Sequence, residues 1–431
     1  MKNLTKLFAA LALLGILLAA CAAPAPTEAP EVEEPQPETT DEAAPTEELP
    51  EAPEAINIGA TIPLTGPFAG GGAQVQRGYQ YAVDDINAAG GIFVEEYGVQ
   101  IPINLIVLDD ESSPDNVVSN LEALFTDEDV TVYLGGFGSS LHAAAAAIAE
   151  KNQVPYLGIA FAQYDIHQQG YRYLFSPFWK SPQISTEVFE MLNGLIPDGE
   201  RPTQVAIIQE QTDWGIELGA LWADAAAEYG YEVVAHETYA VGTTDFTDII
   251  LRVQGAGANA VLALPIPPDG YTLFRQMAEL GYTPDFSFVI RAPDNTPAWI
   301  ENLGAAGEYV TLGPGWHNSL DYEGVDAINE RHMAELGIPA LPQVGNAYAV
   351  IQILADAIER AGTLDRDAIR DALAATDLDT VAGHVIFYED GTSNLSSPIL
   401  QIVDGVQQLV WPAEFATADL VYPAPPVEER Q

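Results

Sequence analysis

Side chains able to do chemistry are few in this chain and widely spaced. Six histidines stand at 142, 167, 236, 317, 332 and 384, scattered along the sequence rather than grouped as one ligand set. The only cysteine, Cys21, has no partner for an internal disulfide. The stretch "GSSLH" (138–142) approaches the Gly-x-Ser-x-Gly elbow of serine hydrolases and fails at its fifth position. There is no His-Glu-x-x-His, no Walker loop, and Gly70-Gly71-Gly72 lacks the Gly-x-Gly-x-x-Gly spacing of a dinucleotide turn. "DDESSPD" (109–115) is acidic enough to suggest calcium, yet lacks the spaced ligands and glycine of an EF-hand loop. The expectation is a protein without catalysis, metal or cofactor, whose histidines are surface or capping residues.

The elements that would position any binding residue begin after a distinctive leader. Lys2 and Lys6 precede an uncharged run, Leu7–Ala20, which has the charged head and apolar body of a secretory signal. The run is too short for an ordinary membrane-spanning helix, which needs ~20 apolar residues. Leu18-Ala19-Ala20-Cys21 resembles the bacterial lipobox, so Cys21 is expected to carry lipid. Residues 22–54 hold eleven Asp or Glu, no Lys or Arg, and many prolines. Such a segment buries too little apolar surface to fold, and reads as an extended tether. The formal net charge of −48, with only four lysines, argues against nucleic acid or anionic lipid as partners.

From residue 55 onward strand and helix patterns alternate. Strands are predicted over 56–64, 101–110, 130–136 and 154–160, with helices over 72–91, 114–125 and 139–152. After 171–182 the rhythm restarts, with strands over 204–210, 231–239, 259–265 and 286–292, and helices over 213–229, 246–256 and 270–281. Later helices fall near 323–336, 345–361 and 365–375. "PILQIVDGVQQLVW" (398–411) reads as a hairpin turning at Asp404-Gly405. Alternation with short connections predicts an α/β protein built from βαβ units with parallel sheets.

"IPLTGPFAGGGAQVQRGYQYAVDDINAAGGI" (62–92), then "INLIVLDDESSPDNVVSNLEALF" (103–125), and later "GNAYAVIQILADAIERAGTLDRDAIRDALAAT" (345–376), resemble the leucine/branched-chain amino-acid-binding protein family. These are extracytoplasmic receptors of ABC importers. The resemblance implies a type I periplasmic-binding-protein fold, two Rossmann-like lobes joined by three crossing segments near 176–181, 312–316 and 388–397. It divides the chain into a signal peptide (1–20), a tether (21–54), lobe 1 (55–178 and 314–388) and lobe 2 (179–313 and 389–422).

Carried over position by position, the family's site falls on Ser139, at a helix start after the third strand, as the ligand-carboxylate contact. Unpaired N–H groups and positive potential at a helix N-terminus suit an anion there, although Ser139 or Ser140 could also be a plain cap. Ala160 falls at a backbone contact, and Ala162 stands where the family has threonine. Gln163 or Tyr164 are candidates to replace that hydroxyl. Trp214 falls on an aromatic that packs on the ligand, with ordinary packing as the alternative. Asp294 falls on the acid that binds the ligand ammonium, with a solvated loop acid as the alternative and Thr296-Pro297 as the N-cap and first residue of the next helix. Gly71 and Ile266 replace two family aromatics, so a roomier cleft is expected. The resemblance thus implies a monomeric solute-binding protein that delivers a zwitterionic amino acid or amide to ABC permease subunits. It would be held to the membrane only by its lipid. A ligand-sensing module and an anchored α/β enzyme are the alternatives.

Overall fold

The computed structural model describes residues 49–430, so Cys21, the signal segment and nearly all of the tether lie outside the described residues. The first half of the described chain runs β1 (Ile56–Ile62), α1 (Ala69–Ala88), a small hairpin of β2 (Ile92–Val94) and β3 (Val99–Ile101), then β4 (Ile103–Asp109), α2 (Pro114–Thr126), β5 (Val132–Leu134), α3 (Ser139–Asn152), β6 (Tyr156–Leu157) and β7 (Leu174–Phe175). It continues through α4 (Ser181–Leu195), β8 (Gln204–Glu210), α5 (Asp213–Tyr229), β9 (Glu232–Tyr239), α6 (Thr247–Gly255), β10 (Ala260–Leu264), α7 (Pro267–Glu279), β11 (Phe286–Val289), α8 (Thr296–Leu303) and β12 (Thr311–Leu312). Last come α9 (Val325–Leu336), α10 (Pro342–Ala361), α11 (Arg366–Ala374), the pair β13 (Asp377–Thr380) and β14 (Gly383–Ile386), and the hairpin β15 (Ile399–Val403) and β16 (Val406–Trp411).

Two sheets result. The first has the order β4-β1-β5-β6-β7 and is parallel throughout. The second has the order β16-β15-β12-β11-β10-β8-β9, parallel from β12 to β9, with the β15–β16 hairpin added antiparallel at one edge. The central strands of the second sheet are covered on both faces: every residue of β10 and β11 is buried, and all but Ser287 are apolar. That is the signature of parallel strands covered by helices on both sides. The hairpin turns at Asp404 (φ 53°) and Gly405 (φ 74°), two left-handed residues in a row, which matches the right-handed twist of the strands.

The longest late helix, α10, returns to pack along α1. The approach is close enough that a Cβ on Gly78 would lie 2.2 Å from the Val344 carbonyl oxygen. The predicted strand over 154–160 is cut to Tyr156–Leu157, because Ala160 adopts φ 57° and turns the chain out of the sheet. The stretch leading into α4 is pinned by buried Lys180, whose Nζ donates to the Phe161 carbonyl (3.0 Å), the Ser176 hydroxyl (2.7 Å) and the Phe178 carbonyl (3.1 Å). These three acceptors match the three donors of an ammonium, while burial pushes its pKa down. Ser176 in turn bridges Thr392, so two separate chain passages run side by side there.

Candidate ligand-binding site

In open α/β sheets, ligands bind in the crevice outside the carboxyl ends of the strands. Both sheets of this protein direct those ends to one cavity of about 470 Å³. The first sheet contributes Phe68 beyond β1, Ser139 beyond β5 and Gln163 beyond β6; the second contributes Glu210 at the end of β8, Trp214 in the first turn of α5, Ile266 beyond β10 and Arg291 beyond β11.

Ser139 is the first residue of α3. Gly138, at φ 109° and ψ 128°, occupies the N-cap, and no side chain caps the helix. The plain-cap alternative for a serine here therefore does not hold. Ser139 is buried, and its Oγ accepts the Gln163 N–H at 3.4 Å. The uncapped first turn leaves N–H donors and the positive end of the helix at the cavity wall.

Ala160 and Ala162 do not line the cavity. The Ala160 carbonyl accepts the Gly138 N–H at 3.1 Å, which ties the chain beyond β6 to the start of α3. The Ala162 carbonyl accepts both the N–H (2.8 Å) and the hydroxyl (3.0 Å) of Ser181. Ser181 Oγ also accepts the Trp214 indole N–H at 3.0 Å. A hydroxyl is thus present beside Ala162 after all, supplied by the next element of the chain and spent on orienting Trp214.

Asp294 lies in a short 3-10 turn after β11, buried and off the cavity wall. Its carboxylate accepts the Gln343 side-chain N–H at 3.1 Å. Burial raises its pKa to about 7, against the opposing pull of that hydrogen bond and of the Arg291 charge. The next helix is capped by Asn295, whose side chain accepts the Ala298 N–H at 3.3 Å, so Thr296 and Pro297 are its first two residues rather than cap and first residue. Gly71 also faces elsewhere: a Cβ there would strike the Phe137 ring at 2.4 Å, so the space expected to be open is filled by Phe137. Ile266 does line the cavity.

The charged residues of the cavity were not singled out from sequence. Arg291 has φ 73° and ψ −53°, and the Ala292 N–H reaches the Ile290 carbonyl at 2.9 Å, so Arg291 is the central residue of a strained γ-turn. A non-glycine residue held there costs on the order of 1–3 kcal/mol, and such residues cluster at ligand clamps. Its guanidinium is ion-paired with Glu210, and both side chains are almost fully buried. It lies 5.0 Å from the ring of Trp214 and 5.5 Å from that of Phe68, contacting an aromatic from each wall. The signal available in sequence was positional: "QVAIIQE" and "FVIRA" each put a charge at the carboxyl end of an otherwise uncharged strand.

The periplasmic binding protein family model matches residues 55–407. The chain belongs to that family. The Leu/Ile/Val-binding protein homolog 1 of Brucella suis biovar 1 (strain 1330) is 26% identical over 346 residues, 80% of this chain and 89% of that one. The leucine-binding protein LivK of Thermotoga maritima MSB8 superposes with a TM-score of 0.74 at 20% identity, over 83% of this chain and 98% of that one. LivJ of Streptococcus pneumoniae, solved with isoleucine, gives 0.71 at 23% identity, over 86% and 100%. The fold is therefore that of type I periplasmic binding proteins. In this periplasmic binding protein one carboxylate clasps the two walls near the cavity: Glu217 of α5 accepts the Tyr164 and Asp165 N–H groups, each at 2.8 Å. Among the described residues no helix is long and apolar enough to cross a membrane.

Proposed function

We propose that the protein is the extracytoplasmic solute-binding component of an ABC importer, taking an amino acid or amino-acid-like molecule in the cavity between its sheets and passing it to permease subunits. The observation that carries this reading is the convergence of both sets of strand carboxyl ends on one cavity whose first-sheet wall holds an uncapped helix start. The relatives named for leucine, isoleucine and valine support it. In this reading Ser139 and the first turn of α3 hold a ligand carboxylate, Trp214 packs on the ligand, and Ala160 and Ala162 act through backbone that fixes both. The walls form two lobes, 55–178 with 314–388 and 179–313 with 389–422. Cys21 bears the lipid, and residues 21–54 are the tether.

Titration calorimetry of the purified chain against amino acids, small amides and organic acids tests the binding role. One saturable 1:1 ligand, recovered unchanged, is expected; conversion of that ligand to product would overturn the carrier reading. For the anchor, Cys21→Ala should lose metabolic fatty-acid label, and equal label on both proteins would refute lipid attachment there.

A further inference from the structure

Arg291 and Glu210 give the cavity a recognition element beyond a carboxylate site and an aromatic wall. A guanidinium has five N–H donors. Nε of Arg291 goes to the Pro265 carbonyl at 3.3 Å, and one Nη2 hydrogen goes to Glu210. Among the described residues no acceptor takes the other three, and the side chain borders the cavity. With Phe68 and Trp214 within 5.5 Å and 5.0 Å, and its backbone in the γ-turn, the group is held in place rather than free to swing into solvent.

Glu210 is likewise part-used. One carboxylate oxygen takes Arg291 and the other the Thr212 hydroxyl at 3.0 Å. An ionised carboxylate accepts about four hydrogen bonds, so each oxygen keeps capacity. Across the cavity stand Ser139, the α3 first turn and the Gln163 side-chain amide, which has no protein partner among the described residues. The walls thus offer an anion station at α3, a cation station at Glu210 and a fork of donors at Arg291. Asp294, off the wall and bonded to Gln343, leaves the cation station to Glu210. A hydrocarbon side chain would desolvate the Arg291 donors and give them nothing to bond, and sites built with polar groups reject such ligands strongly.

We propose that the ligand is an α-amino acid whose side chain ends in an oxygen acceptor, a carboxylate or a carboxamide, received by Arg291 while Glu210 takes the ammonium and Ser139 the α-carboxylate. This deepens the solute-binding reading and rests on it. The acceptor's two sources separate by charge, so L-glutamate and L-glutamine are both titrated into the full chain, with L-leucine and glutarate, which lacks the ammonium, as contrasts. At least one of the first two should bind about 30-fold or more tighter than leucine and glutarate, within the range expected for charge-assisted hydrogen bonds. The double variant Glu210→Gln/Arg291→Gln removes the pair without stranding either charge. It should weaken the preferred ligand about 10- to 100-fold. Arg291→Lys keeps the charge and loses the fork, and should weaken that ligand about tenfold. Leucine binding as tightly as glutamate and glutamine would overturn the assignment while sparing the carrier role, as would wild-type affinity in either folded variant. Binding of no amino acid at all would overturn both.

Discussion

Ser139 is positioned by its neighbours more than by its own type. Gly138 takes the N-cap, Ala160 tethers that glycine, and the Gln163 N–H fixes the Ser139 hydroxyl from the side. Its place at a helix start was legible in "GGFGSSLHA", because helix and preceding strand were both readable; the identity of the cap was not, since that depends on the φ of Gly138. Ser139→Ala should weaken ligand binding by roughly 1–2 kcal/mol, the scale of a hydrogen bond to a charged group, measured by calorimetry on folded protein. Asp294 shows where residue-level transfer gives least. Its position in a turn after β11 could be read, but its pointing toward Gln343 is set by α10, which lies far along the chain. The folded pKa of Asp294, about 7, stands above its ordinary 3.8. The native state therefore holds an extra proton between those values, and stability from this group is lost as pH rises through that window. Asp294→Asn removes that dependence. Its stability relative to wild type should rise with pH from 5 to 7, by on the order of 1 kcal/mol per unit at most, in denaturant melts at each pH. An unchanged difference across that range would contradict the raised pKa.

At the scale of elements the periodicities carried well. Helices α3 and α5 and strand β8 match their sequence expectations end to end, because glycine, Thr212 and the apolar runs mark their limits. Departures occur where tertiary contacts decide. β6 shortens because Ala160 must turn back to Gly138, and α7 begins at Pro267, three residues early, since proline suits a first helical turn. The room inferred from Gly71 was wrong for the same reason: its helix face meets Phe137, and no local pattern reports a ring from another element. Gly78 is the counterpart that packing requires. Gly78→Ala would push a methyl into the α10 backbone, and overpacking of this kind costs roughly 1–3 kcal/mol. A melting temperature lower by a few degrees is expected, and one equal to wild type would mean that α1 and α10 can separate freely.

For the whole molecule, the arrangement is one parallel and one mostly parallel sheet whose parallel strands' carboxyl ends share one cavity, with Glu217 bonding across to the loop after β6. The solute-binding proposal implies an open and a closed form: a ligand that touches both walls would bind the closed one better, and that differential affinity would move the equilibrium between them. Parallel sheets were implied by βαβ alternation, and a second set of strands by the restart of that rhythm after 171–182; the strand order and the Arg291–Glu210 pair were not, because both depend on partners far apart in sequence. Small-angle X-ray scattering on the purified chain, alone and saturated with the amino acid that calorimetry selects, measures the closure directly. The account predicts a smaller radius of gyration in the saturated sample. Saturation confirmed by calorimetry with an unchanged radius of gyration would contradict it.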